Sequence, residues 1–211
     1  AFMGITAAQA ALDYADCTID KVDAILVATS TPDLTFPSVA TMIQNGLGMR
    51  HGFAFDVQAV CAGFVYALTV ANSMIASGQN SRILVIGSET FSKLMDWTDR
   101  STCVLFGDGA GAMLVAAQSN DKSNRGILAT TLHSDGQYKD LLYVDGGVSL
   151  QTIGYLRMQG KEIFRHAVEK LSEATFEALE KAGLTTQDVD WVVPHQANKR
   201  ILEGMSKRLN I

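Results

Sequence analysis

The stretch Ala11–Leu26, ALDYADCTIDKVDAIL, returns further along the chain as Ala178–Val193, ALEKAGLTTQDVDWVV. Laid over each other without a gap, the two agree at Ala11/Ala178, Leu12/Leu179, Ala15/Ala182, Thr18/Thr185, Val22/Val189 and Asp23/Asp190. Asp13/Glu180, Ile25/Val192 and Leu26/Val193 are conservative pairs. Each copy reads as helix, turn and strand, followed by a further helix that ends in Leu47-Gly48-Met49 or in Leu209-Asn210-Ile211. Any helix–turn–strand unit shares Ala, Leu and Val, but the Val-Asp pair before both strands favours a duplicated α/β unit.

Around the repeat, alanine-rich periodic segments alternate with short β-branched runs, the pattern of helices covering a largely buried sheet. Strands are expected at Ala24–Thr29, Gly52–Asp56, Arg82–Gly87, Ala110–Ala116 and Trp191–Pro194. Helices are expected at Gly4–Ala15, Ser38–Leu47, Cys61–Ser77, Gly160–Ala182 and Ala197–Arg208, the fourth stopped by Gly183. Ser119–Arg125 reads as a polar surface turn, and Asp145–Thr152 as a mobile crossing between halves. The two halves are expected at residues 1–118 and 119–211.

With 211 residues, 47% of them hydrophobic, the chain can bury a substantial core as one or two domains. A net charge of -5 argues against a general nucleic-acid binder. The three cysteines, Cys17, Cys61 and Cys103, lack paired spacing, which suits a reducing cytoplasm better than a disulfide framework. No run approaches the roughly 18 apolar residues of a membrane span, and AFMGITAAQA lacks the layout of a signal peptide, so neither membrane insertion nor secretion is expected. The chain has no initiating Met and opens on what reads as the middle of a helix, which predicts missing ends.

Asp56–Phe64, DVQAVCAGF, sets a cysteine between small residues, after a strand-like segment and before a helix-like one. Backbone N–H groups at a helix N-terminus stabilise a thiolate and can donate to an oxyanion formed beside it. Ala62 and Gly63 would leave room for a substrate to approach. Taken alone, Cys61 is more simply a small buried core thiol. Cys17 and Cys103 carry no functional reading. A nucleophilic cysteine needs a histidine brought to it through space. His195 in VVPHQAN stands where an apolar strand is expected to end and a helix to open, a setting in which α/β sites collect. His51 and His133 lie in polar loops and His166 on a helix with apolar neighbours, so surface or core roles suit them better. FGDGAGA, Phe106–Ala112, has a dinucleotide-like glycine pattern, but its glycines precede a strand instead of opening a helix, which favours a backbone-turn role. Phosphate-loop, zinc and GxSxG patterns are absent.

Together AVCAGF, FGDGAGA and VPHQAN, in this order, strongly resemble the β-ketoacyl-acyl-carrier-protein synthase III enzymes of the thiolase superfamily, and TFPS, TDRST and LRMQGKEIF extend the similarity along the whole chain. The resemblance implies a duplicated thiolase-type α/β/α/β/α layered sandwich, present without its N- and C-terminal segments. It implies condensation of an acyl-CoA, often acetyl-CoA, with malonyl-acyl carrier protein, without metal or redox cofactor, by a cytoplasmic homodimer. Cys61 would carry the acyl group and His195 would stabilise the thioester oxygen. Arg100, Phe106, Gly160, Phe164 and Asn198 match positions lining the CoA channel, and Phe36 matches a residue that reaches the partner's site across a dimer interface. Lys199, Arg200, Lys207 and Arg208, spaced by seven to eight on the final helix of an acidic protein, would form a docking patch for an acidic carrier protein.

The family triad also includes an Asn in a GNTS-type motif that this sequence does not contain; it would lie beyond Ile211. The repeat reaches the same place, since the Leu47-to-Cys61 spacing carried over to Leu209 puts the counterpart of Cys61 roughly a dozen residues past Ile211. Segments that complete the oxyanion hole and the CoA site in relatives are likewise absent. If the ends are truly missing, condensation is expected to be lost while weak self-acylation at Cys61 survives. A hydrolase or acyltransferase of the same fold, and an inactive scaffold binding CoA or carrier protein, are the competing readings.

Overall fold

The computed structural model describes residues 1–118 and 125–211, so most of the expected turn at Ser119–Arg125 lies outside the described residues. The chain forms two compact units: Ala1–Lys93 with residues 107–118, and Leu94–Phe106 with Arg125–Ile211. Residues 94–106 therefore group with the second half of the sequence. No helix among the described residues is long and apolar enough to cross a membrane.

The first unit is built on a four-stranded sheet of β1 (Ala24–Ala28), β2 (Phe53–Val57), β3 (Arg82–Thr90) and β4 (Asp108–Ala116), ordered β2-β1-β3-β4. β1 runs parallel to both neighbours, and β4 returns antiparallel along β3. Helices α1 (Phe2–Tyr14), α2 (Val39–Gly46) and α3 (Gly63–Ala76) complete the unit. All five residues of β1, AILVA, are buried because alternate side chains enter different cores. Ile25 and Val27 join Ala8 and Leu12 of α1 and Ala40 and Ile43 of α2. Ala24, Leu26 and Ala28 join Ala67 and Ala71 of α3. Each fully buried Ile or Leu contributes about 1.5–3 kcal/mol relative to exposure, so β1 is the element on which both cores depend. Asp23 fixes its register with β3: its Oδ2 accepts hydrogen bonds from Ser81 N at 2.6 Å and Arg82 N at 2.8 Å.

The second unit contains the hairpin β5 (Leu142–Val144) and β6 (Leu156–Met158), and helices α4 (Gly160–Ala182) and α5 (Lys199–Leu209). Ile201, Met205 and Leu209, four residues apart on α5, are buried. Gly204 lets α5 approach α4 closely, since a Cβ there would sit 3.0 Å from Val168 Cγ2.

Four expectations change. Trp191–Pro194 is not a strand, because no neighbouring strand among the described residues completes a ladder with it. Asp145–Thr152 is part of the turn of the β5–β6 hairpin and not a crossing between halves; Gly147 bridges Thr152 there. β5 and β6 themselves, three residues each, are too short to show alternation. α5 starts at Lys199 because the Asn198 side chain accepts from Ile201 N at 3.1 Å and caps it. The repeat is visible in both copies: the 3₁₀ turns Ile19–Lys21 and Thr186–Asp188 occupy matching positions after Thr18 and Thr185.

Candidate active site

β2 ends at Val57, and the chain reaches Cys61 through a tight turn before α3. Asp56 secures this junction by accepting from Val39 N and Ala40 N, both at 2.8 Å, at the N-terminal end of α2. Val60 has φ +46°, a left-handed conformation that is costly for a β-branched residue. The turn leaves Cys61 exposed at the C-terminal end of the parallel strands, the edge of an α/β sheet where sites form.

Two details correct the expectation. Cys61 lies in the 3₁₀ turn Val60–Ala62, and α3 proper begins at Gly63. The thiol pKa is accordingly raised, not lowered. Protein packed around the inner side of this otherwise open residue withholds water from the thiolate; the Cys61 backbone N–H opposes this with a smaller pull, and the Glu89 carboxylate adds a still smaller repulsion. Gly63 serves packing and not substrate access: it is buried, and a Cβ there would lie 3.2 Å from Ala28 Cβ on β1.

Glu89 is a site residue that sequence reasoning missed. Its Oε1 accepts from Ser30 N at 2.7 Å, and its Oε2 accepts from the Thr31 hydroxyl and from Thr29 Oγ1 at 3.4 Å. Thr90 N donates to Thr31 Oγ1 at 2.8 Å. The ends of β1 and β3 are thus laced around one fixed carboxylate. Its only sequence signal is a lone acid closing the apolar run ILVIGSE. Asp108–Ala112 of FGDGAGA form the start of β4, so no helix follows its glycines, and Asp108 accepts from Ser92 N at 2.8 Å and Ser92 Oγ at 2.7 Å. Phe36, 81% exposed on the loop between β1 and α2, is not a core aromatic.

Cys61 belongs to the first unit and His195 to the second. His195 is exposed on the irregular segment before α5, with its carbonyl accepting from Ala197 N at 3.0 Å. Within the second unit one groove is lined by Gly160, Lys161 and Phe164 from the first turns of α4, Asn198, Lys199 and Arg200 from the start of α5, and Leu105. Three of the residues matched to a CoA channel, Gly160, Phe164 and Asn198, therefore share one cavity. Phe106 adjoins Leu105 in sequence, and Arg100 is exposed on the same segment. Lys161 is a cation that sequence reasoning did not single out. The basic cluster divides: Lys199 and Arg200 face the groove, while Lys207 and Arg208 lie in the last turn of α5, where their charge complements the helix C-terminus. Arg208 also approaches Glu173 at 4.0 Å.

The profile described as 3-Oxoacyl-[acyl-carrier-protein (ACP)] synthase III matches residues 55–136, and its C-terminal counterpart matches residues 179–211. A β-ketoacyl-[acyl-carrier-protein] synthase III from a Ruegeria species is 66% identical over 99% of the chain. The chain belongs to the 3-oxoacyl-[acyl-carrier-protein] synthase III family. The synthase III of Roseobacter denitrificans is 64% identical over 100% of the chain. The crystal structure of 3-oxoacyl-[acyl-carrier-protein] synthase III from Aquifex aeolicus superimposes over 100% of the chain with TM-score 0.93 and 46% identity. The fold is thus the duplicated thiolase type expected from the sequence. The chain spans 65% of the length of the Ruegeria relative, 66% of that from Roseobacter and 65% of the Aquifex chain.

Proposed function

We propose that this family member initiates type II fatty-acid synthesis, condensing an acyl-CoA, most simply acetyl-CoA, with malonyl-acyl carrier protein. The observation that carries this reading is the exposed cysteine at the β2–α3 junction of a chain 66% identical to a β-ketoacyl-[acyl-carrier-protein] synthase III. The Cys61 thiolate attacks the acyl carbonyl carbon of the CoA thioester. The carbon–sulfur bond to CoA breaks, and the departing CoA thiolate takes up a proton. After malonyl-carrier protein binds, the bond to its carboxylate breaks and CO2 leaves. The electron pair becomes an enolate, which attacks the Cys61-bound acyl carbon and releases the cysteine thiolate. An N–H of His195 donates to the malonyl thioester oxygen as negative charge develops there. Thioester exchange and decarboxylation of this kind require neither a metal nor a redox cofactor.

The groove of the second unit would take the pantetheine arm, with Gly160 leaving it open and Phe164 lying against it. Arg100 and Lys161 suit phosphate groups. Phe106 and Asn198 extend the same channel, and Lys199, Arg200, Lys207 and Arg208 would meet the acidic carrier protein. Phe36, exposed on its loop, would cross to a second copy in a homodimer, and the protein would work in the cytoplasm.

The test is the intact mass after exposure of the full-length protein to acetyl-CoA. An acetyl adduct on the Cys61 peptide, abolished in Cys61→Ser, with CO2 released on addition of malonyl-carrier protein, is the expected result. Release of free acetate without CO2 would replace condensation by hydrolysis.

A further inference from the structure

Residues 95–106 contain no helix or strand, although Arg100, Leu105 and Phe106 all sit there. The segment is a succession of turns closed by its own acids. Asp96 Oδ1 accepts from Thr98 N at 3.1 Å and Thr98 Oγ1 at 2.6 Å, and Asp99 Oδ1 accepts from Ser101 N at 2.9 Å and Ser101 Oγ at 2.6 Å. Such bonds span two residues and shape a turn without placing it. Buried Met95 and Thr102 anchor its inner side.

A directional link out of the segment comes from Arg157, in the middle of β6. Its Nη1 donates to Asp96 Oδ2 at 3.2 Å, across 61 residues of sequence, while its Nε donates to Asp145 Oδ2 at 2.6 Å. Asp145 in turn accepts from Tyr155 N at 2.6 Å, and the guanidinium carbon lies 5.6 Å from the centre of the Tyr155 ring. Arg157 is the first cause of the lowered Asp145 pKa and, after Thr98, contributes to that of Asp96. Only Met158 and Gln159 lie between Arg157 and Gly160, the first groove residue of α4.

We propose that Arg157 is a positioning residue: one guanidinium, shared between Asp96 and Asp145, holds the segment bearing Arg100, Leu105 and Phe106 beside the start of α4 and so sets the groove for a CoA thioester. This rests on the functional reading above. A planar fork with separate donors can serve two carboxylates in fixed directions, which the single ammonium of lysine cannot reproduce. The site is partly exposed, with Arg157 at 37% and Asp96 at 23%, so the pair contributes little to global stability and acts mainly on geometry.

The test compares Arg157→Gln with Asp96→Asn in the full-length protein, using acetyl-CoA as probe. Long-range attraction for an anionic ligand would move the two variants in opposite directions, since one removes a positive charge and the other a negative charge. Positioning moves them together. Both should raise KM for acetyl-CoA about tenfold with kcat within about twofold, as expected for lost alignment of a binding group. The double variant should be no worse than either single one, because both break the same link. Amide exchange of residues 95–106 should quicken while the melting temperature stays close to that of the unaltered protein, and Arg157→Lys should restore affinity only in part. KM shifts of opposite sign, unchanged KM values, or a general loss of stability in both variants would overturn the proposal. If Arg157→Gln does not fold, Asp96→Asn decides alone, because Asn keeps the acceptor for Thr98. An unaltered protein that does not acylate Cys61 overturns the functional reading, whereas normal acylation that both variants match overturns only the role of Arg157.

Discussion

After Val22-Asp23, the first copy of the repeat enters β1 with Ile25 and Leu26 at 0% exposure; after Val189-Asp190, the second copy leaves Trp191 and Val193 at 88% and 90%. A helix and a 3₁₀ turn come before this point in both copies. What differs is the company. β1 has a parallel strand on each side and helices over both faces, and Asp23 binds the start of β3. Among the described residues, no strand lies beside Asp190 to make the same contact. Equivalent sequence thus yields a strand only where a ladder and a cover are supplied, because a β-strand draws its stability from its neighbours.

The largest expected effect tests that contrast directly. Leu26→Ala should destabilise the first unit by about 2–5 kcal/mol through loss of burial and a residual cavity. Val193→Ala in this chain should change stability by no more than about 0.5 kcal/mol, as surface substitutions do. Urea unfolding of both variants measures the difference, and equal losses would break the comparison.

The helices that follow in the two copies should behave alike instead. Ser38 caps α2 by accepting from Thr41 N at 3.2 Å, and Asn198 caps α5 by accepting from Ile201 N at 3.1 Å. Ser38→Ala and Asn198→Ala should each cost about 1 kcal/mol, the usual value for a lost cap. A much smaller loss at Asn198 would mean that the second copy is less ordered at its helix start as well as at its strand position.

The first copy leads to a strand–helix junction with a cysteine, and there Glu89 adds to the raised thiol pKa. Glu89→Gln should shift alkylation of Cys61 by iodoacetamide to lower pH, followed by peptide mass spectrometry so that Cys17 and Cys103 are counted apart. An unchanged profile would leave desolvation as the sole cause.

The smallest effect separates the two 3₁₀ turns. In the second copy Asp188 Oδ2 accepts from Thr185 N at 2.8 Å and Thr185 Oγ1 at 2.7 Å, lowering the Asp188 pKa; Lys21 occupies the matching place in the first. A carboxyl lowered by folding adds stability above its unfolded pKa and loses it as pH falls through the folded one. The loss of stability on acidification below the ordinary carboxylate range should therefore be slightly smaller in Asp188→Asn than in the unaltered protein, since Asp96 and Asp145 are lowered too and still contribute. Urea midpoints against pH check it.

Much of this was legible locally. The alternating cores of β1, the stop at Gly183 and the strand-to-helix setting of Cys61 follow from residues close together in sequence, where period, turn chemistry and backbone freedom act over a few positions. The motifs AVCAGF, FGDGAGA and VPHQAN likewise declared the family. Other features depend on residues far apart. Glu89 meets Ser30 and Thr31 across nearly sixty positions, Arg157 meets Asp96 across 61, and Leu105 joins Gly160 and Asn198 in one groove. The raised Cys61 pKa and the loss of strand character at Trp191–Pro194 belong with these. The sequence by itself determined the repeat, most elements and the identity of the nucleophile candidate. Tertiary structure alone decided which strand-like segment became a strand, what charge faces the thiol and which side chains share a cavity, because desolvation, electrostatic pairing and ladder formation depend on neighbours in space.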